Sequence, residues 1–211
     1  MNKIVYEDSY HEAAHAVLAK VFEDVFAMEF ITLNELQSKA HDPQSKGGLK
    51  GKLVKKVEDL TLNDHHSMVM ILMAGLCADD IYISGGQLPS DLYETKVWAA
   101  KLNAARYSGD LELAVKHLAV IKDKIVVTIQ EYTVLYFKVL YKLLTEKPVW
   151  DALVILAEHL SKSELKFLSG IQINQILEKN LAFIGWITEN KPKLMGEFDE
   201  IKANITIKDN I

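Results

Sequence analysis

The sequence has little of what several protein classes require. Its single cysteine excludes an internal disulfide, and Cys77 lies within the apolar run 68–77, which indicates a small core residue. An excess of positive charge is also lacking, because the formal net charge is -5 over 211 residues. Since phosphate recognition needs a clustered basic face, we expect no nucleic-acid binding and look instead to protein or peptide partners.

Export signals and long apolar runs are also missing. Residues 1–10 are polar and acidic, without the basic start and apolar stretch of a secretory signal. The most membrane-like segment, 125–144, contains Gln130, Glu131, Lys138 and Lys142. Because such side chains are costly in hydrocarbon, we expect a cytoplasmic protein without a membrane span.

Apolar periodicity predicts a mainly α-helical fold. Helices are expected at 8–22, at 65–84 with Asn63 or Asp64 as the cap, and at 90–107. The runs 26–33 and 49–54 suit two strands of a small N-terminal β hairpin or sheet.

The second half predicts a C-terminal helical bundle. Residues 110–160 fit one long helix or two closely packed helices, with Pro148 in the first turn of a further one. Residues 163–170 are interpreted as a short connection, and the chain beyond Leu177 is loosely patterned. We therefore expect one domain over residues 1–180 and a C-terminal extension over 181–211.

The segment His11-Glu12-Ala13-Ala14-His15 suggests a zinc site. On a helix, positions i and i+4 share a face, so His11 and His15 can direct their imidazoles at one Zn²⁺ ion. Glu12 lies one position round, where its carboxylate can act as the base for a water that zinc activates. The pattern arises by chance in roughly two per hundred sequences of this composition, and two exposed or capping histidines are the alternative. A third ligand decides between these interpretations.

Three blocks of the sequence resemble the peptidase domain of FtsH-type proteases. Residues 10–17 read YHEAAHAV, where the family has HEAGHA. Residues 72–92 read LMAGLCADDIYISGGQLPSDL, similar to the family's LLGGRAAEELxFG, a short loop and NDL. Residues 150–177 are similar to the closing helices of that domain. The resemblance implies a helical metallopeptidase domain.

The resemblance also implies the third zinc ligand. The family's ligand is the aspartate of NDL, which corresponds to Asp91. Taken alone, Asp91 reads more naturally as a helix N-cap. Asp79 and Asp80 replace the family's paired glutamates and are the reserve candidates, either as third ligand or as support for an imidazole. The remaining histidines, 41, 65, 66, 117 and 159, are interpreted as non-ligands.

The expected function is that of a zinc endopeptidase, a metalloprotease that hydrolyses peptide bonds of peptides or unfolded proteins. No phosphate-binding glycine loop precedes His11, so we expect the enzyme to act without an ATPase of its own, with any unfolding supplied by a separate protein partner. The alternative is a catalytically silent relative that binds a protein partner. The sequence assigns no oligomeric state.

Overall fold

The computed structural model describes residues 3–34, 48–85, 108–122 and 129–206. Within these ranges the chain forms seven α-helices and one three-stranded antiparallel sheet, which confirms the predicted mainly helical class. The helix predicted at 90–107, together with Asp91, lies outside the described residues.

The first helix, α1, is deeply packed. It spans Lys3–Val21 and so begins earlier than the predicted residue 8. Its alanines permit close approach of neighbouring helices, and those at positions 13, 14, 16 and 19 are fully inaccessible to solvent. The neighbours are α2 (Leu62–Ser84) and, later in the chain, α5 (Lys147–Lys162). Polar residues of α1 are therefore held inside the protein.

Helix α2 is defined by its two ends. Thr61 caps it: its hydroxyl accepts the backbone N–H of Asp64, and the Asp64 carboxylate accepts the backbone N–H of Thr61. The predicted cap, Asn63 or Asp64, is therefore wrong, because Asp64 lies inside the first turn. The helix ends at Gly85, whose φ of 68° is a left-handed conformation that glycine adopts without strain.

Helix α2 is also the one described helix long and apolar enough to cross a membrane, with a mean hydropathy of 1.5 over its 18-residue window. Within the protein, 72% of that window is buried. The helix contacts α1, α3 (Ser108–Lys122) and α4 (Ile129–Thr145). A helix surrounded in this way is apolar on most faces without a bilayer. The expected lack of a membrane span stays a prediction.

The sheet joins distant parts of the chain. Strands β1 (Phe26–Thr32) and β2 (Gly48–Leu53) pair antiparallel, as predicted for the N-terminal hairpin. A third strand, β3 (Phe167–Ser169), pairs with the other edge of β1. The interpretation of 163–170 as a plain connection is therefore incomplete, because three residues are too few to show strand periodicity.

The helical second half follows one of the two predicted alternatives up to residue 160. Segment 110–160 forms parts of three helices, α3, α4 and α5, which agrees with two helices followed by a further one. Pro148 lies in the first turn of α5, as predicted. After β3 the chain continues as α6 (Gly170–Glu178) and α7 (Leu181–Thr206).

The loose patterning expected beyond Leu177 is wrong at the level of local structure. Helix α7 occupies most of this region, and Phe183 in its first turn is fully buried in the common core. The helix contacts α5 and α6. The boundary between a domain and an extension at residue 180 stays a prediction, but the start of α7 belongs to the core.

The substitution Phe183→Ala tests this packing. Removing a fully buried aromatic ring leaves a cavity, so we expect the free energy of unfolding to fall by about 3 kcal/mol. Leu181→Ala, in the same turn at 80% exposure, is the matched control and should change stability by less than about 0.5 kcal/mol. Urea denaturation measures both, and equal effects would contradict the packing.

Candidate metal centre

The predicted zinc motif lies on α1, on the side that faces α2. His11 and His15 are one helical turn apart, and Glu12 follows His11 directly. All three are buried, with exposed fractions of 4%, 3% and 7% for His11, His15 and Glu12. Buried polar side chains require partners, so these residues are not simply exposed histidines near a helix start.

Helix α2 orients both imidazoles through their Nδ1 atoms. His11 Nδ1 donates to the Asp79 carboxylate at 2.8 Å, and His15 Nδ1 donates to the carbonyl oxygen of Ile71 at 2.6 Å. The Ile71 carbonyl oxygen can only accept, so Nδ1 of His15 carries the hydrogen, and a carboxylate at Asp79 assigns the same tautomer to His11. In the neutral rings the lone pairs therefore lie on Nε2. Asp79, a reserve candidate from the sequence, is in the position of a residue that supports an imidazole.

The two Nε2 atoms converge with a carboxylate from α3. They are 3.1 Å apart, and each lies 3.4 Å from Oδ2 of Asp110. In a tetrahedral site with zinc–ligand distances of about 2.0–2.1 Å, neighbouring ligand atoms are roughly 3.3 Å apart. The spacing of His11, His15 and Asp110 is therefore close to that of three zinc ligands.

The electrostatics of this cluster favour a cation. Burial lowers the pKa of the His11 imidazole, but Asp79 and Asp110 outweigh burial and raise that pKa well above its usual value. Burial likewise opposes charge on His15, and Asp110 raises its pKa overall. In turn the two imidazoles hold the pKa of Asp110 well below its usual range against the effect of burial. A proton and a metal ion compete for the same lone pairs.

Glu12 is a buried carboxylate next to the two histidines. Burial raises its pKa to about 7, although the neighbouring His11 and His15 partly oppose the shift. Its Oε2 atom is buried and has no hydrogen-bond partner among the described residues. A buried carboxylate oxygen without a partner is costly, and a donor bound at the cluster would satisfy it.

Gly75 makes room for the two imidazoles. It lies in the middle of α2, where glycine costs about 1 kcal/mol relative to alanine. A Cβ atom at this position would lie 2.5 Å from Nε2 of His11 and 2.5 Å from Nε2 of His15. The glycine is therefore required by the close approach of the ligand atoms to the α2 backbone.

Among the described residues, the carboxylate that contacts both Nε2 atoms is that of Asp110. Asp91 lies outside the described residues, so its role as a ligand stays a prediction, and Asp80 is half-buried one position beyond Asp79. Asp110 was not singled out from the sequence. One signal was present: an aspartate followed by leucine occurs both at Asp91 and at Asp110, which lies in the first turn of α3.

The substitution Gly75→Ala tests the cluster without removing any ligand. Because the added methyl group meets both Nε2 atoms, we expect the zinc content to fall from about one ion per chain to background. Gly185→Ala, a helical glycine of α7 with open space around its Cβ position, is the matched control and should retain zinc. Elemental analysis after dialysis measures the content, with circular dichroism as the check on folding. A fully loaded Gly75→Ala protein would show that the ion binds elsewhere.

Comparisons with known proteins identify no relative of the chain. No protein-family model matches the chain, and no curated protein matches it. The interpretation of the site therefore depends on its geometry and on the three sequence blocks that resemble the FtsH-type peptidase domain.

Proposed function

We propose that the chain is a zinc-dependent endopeptidase with His11, His15 and Asp110 as metal ligands and Glu12 as the catalytic base. One observation carries the proposal: three lone-pair atoms lie 3.1 to 3.4 Å apart beside a buried carboxylate oxygen that has no partner among the described residues. Two neutral imidazole nitrogens and a carboxylate are a common ligand set of catalytic zinc, which leaves a fourth position for substrate or water.

Each side chain of the cluster has a separate role in the proposed peptide hydrolysis. His11, His15 and Asp110 would hold the zinc ion, which when bound would act as a Lewis acid toward water and the peptide carbonyl. Glu12 accepts the proton from the attacking water, and a pKa of about 7 lets it release that proton to the leaving amine. Asp79 and the Ile71 carbonyl hold the imidazoles in the tautomer that presents Nε2.

The three proposed ligands differ in exposure. The side chain of Asp110 is 35% exposed, whereas those of His11 and His15 are 5% and 4% exposed. Asp110 is therefore the most exposed of the three proposed ligands. The resemblance to FtsH-type peptidases supports a peptide or an unfolded segment as the substrate class.

A catalytically silent protein that binds a partner is the second candidate. The low exposure of His11, Glu12 and His15 favours it, because a substrate carbonyl needs room beside the base. A proton shared between the two Nε2 atoms would also satisfy their contact without any metal. Zinc content and cleavage activity, measured on the same preparation, distinguish this silent protein from a peptidase.

The substitution Glu12→Gln tests the catalytic step. Glutamine keeps the shape but cannot accept the proton, so we expect one zinc per chain as in the wild type and a rate of peptide cleavage lower by at least about 100-fold. Unfolded casein and fluorogenic peptides are the substrates, and His15→Gln is the control that should lose both zinc and activity. Equal cleavage by wild type and Glu12→Gln would assign the activity to a contaminant and favour the silent alternative.

The substitution Asp110→Asn tests the third ligand against Asp91. Replacing a residue that hydrogen-bonds to a metal ligand lowers metal affinity by about 10–100-fold. Loss of a ligand itself should lower the affinity at least as much. We expect this loss for Asp110→Asn and an unchanged zinc affinity for Asp91→Asn, measured by competition with a chromophoric chelator. The reverse result would replace Asp110 by Asp91 as the ligand.

A further inference from the structure

The interface between α2 and α3 contains two histidines that face each other. Nδ1 of His65 and Nδ1 of His117 are 2.9 Å apart, which is the length of an N–H···N hydrogen bond. The ring centroids are 5.1 Å apart, so the two nitrogens point at each other. His65 is 8% exposed and His117 is half-buried. The two helices are therefore joined by a hydrogen bond that is largely withdrawn from water.

This hydrogen bond depends on how many protons the two rings carry. A neutral imidazole has one N–H group and one lone pair, so one Nδ1 donates and the other accepts. One added proton can be held on Nε2 of the donating ring without loss of the bond. A second proton removes the accepting lone pair and places two positive charges at the same contact. The contact is therefore compatible with at most one positive charge.

Few charged groups act on the pair from the elements packed around it. On α2, the Asp64 carboxylate lies next to His65 and favours its protonated form, but Lys55 Nζ is 2.8 Å from that carboxylate and balances part of its charge. On α3, the neighbouring Lys116 is paired with Glu112 at 3.2 Å, and both side chains are exposed. The described part of α4 adds no charge that affects either imidazole.

Both rings are held in the neutral form. Burial, aided by the neighbouring His65, lowers the pKa of His117 to about 4, and burial lowers the pKa of His65 despite Asp64. In the unfolded chain both imidazoles return to the ordinary histidine pKa of about 6.5. Between about pH 6.5 and pH 4 the unfolded chain therefore binds more protons than the folded protein, so the free energy of unfolding falls as the pH falls.

We propose that the hydrogen bond between His65 and His117 is an acid-sensitive joint, which holds α3 on α2 at neutral pH and weakens that contact in acid. Helix α3 also carries Asp110 in its first turn, so the joint stabilises the helix that supplies the carboxylate of the candidate metal centre. His117 follows Asp110 by two helical turns, about 10 Å along the axis. The joint contains no proposed metal ligand and requires neither zinc nor peptidase activity.

Urea denaturation of the full-length chain at pH 7 and pH 5 tests the joint. In His117→Gln the amide can donate to His65 or accept from it in either protonation state, and it does not titrate. We expect the unfolding equilibrium constant to rise between pH 7 and pH 5 by about tenfold more in wild type than in His117→Gln. His159→Gln, which removes an exposed histidine on α5, is the matched control and should show the pH dependence of wild type.

Two results would overturn the proposal. One is the same pH dependence of stability in wild type and in a folded His117→Gln protein. The other is a nuclear magnetic resonance titration of wild type in which His117 gains its proton near pH 6.5, whereas we expect a neutral ring at pH 5.5. This titration does not depend on the folding of any variant. Neither readout requires a bound metal, so the joint and the proposed peptidase fail separately.

Discussion

The approach of α1 to α2 at Gly75 is the contact on which the candidate metal centre depends. The residues one turn to either side of Gly75, Ile71 and Asp79, provide the acceptors for His15 and His11. Because the two helices run in opposite directions, the earlier histidine of α1 meets the later acceptor of α2, and the later histidine meets the earlier acceptor. A side chain at position 75 would push both rings away from their acceptors.

This contact also concentrates charge in a buried place. Glu12 and Asp79 are almost inaccessible and Asp110 is partly so, yet these three carboxylates surround only two imidazoles. Burial of unpaired negative charge is unfavourable, so the cluster draws in positive charge, as a proton or as a metal ion. The same carboxylates raise the pKa values of His11 and His15 against the effect of burial.

The sequence was informative where the relevant spacing is local. The i, i+4 histidines, the apolar core of α2 and the two strands of the hairpin are each defined within one short segment, and all were predicted. Thr61 was missed although Thr61 and Asp64 have the spacing of a capping box. That pattern outweighs the capping preference of Asn63.

Long-range pairings were not accessible in the same way. The contact of Asp110 with His11 depends on how α3 packs on α2, and no local pattern fixes that register. The pairing of Phe167–Ser169 with β1 is likewise set by the path of the intervening helices. Asp79 is intermediate, because the family resemblance suggested a role near the metal but only the packing of α1 on α2 identifies which imidazole it contacts.

The position of α3 is therefore as important for the proposed metal centre as the histidine motif itself. His11 and His15 are fixed by a tightly packed helix pair, whereas the carboxylate that faces them comes from a third helix and is partly exposed. His65 and His117 make a second contact between α2 and α3, two turns from Asp110 along α3. Because α3 carries both His117 and Asp110, the packing of α3 on α2 sets the position of Asp110 relative to the two Nε2 atoms. Because zinc affinity depends steeply on ligand geometry, the motif on α1 is necessary for a metal centre but does not by itself determine one.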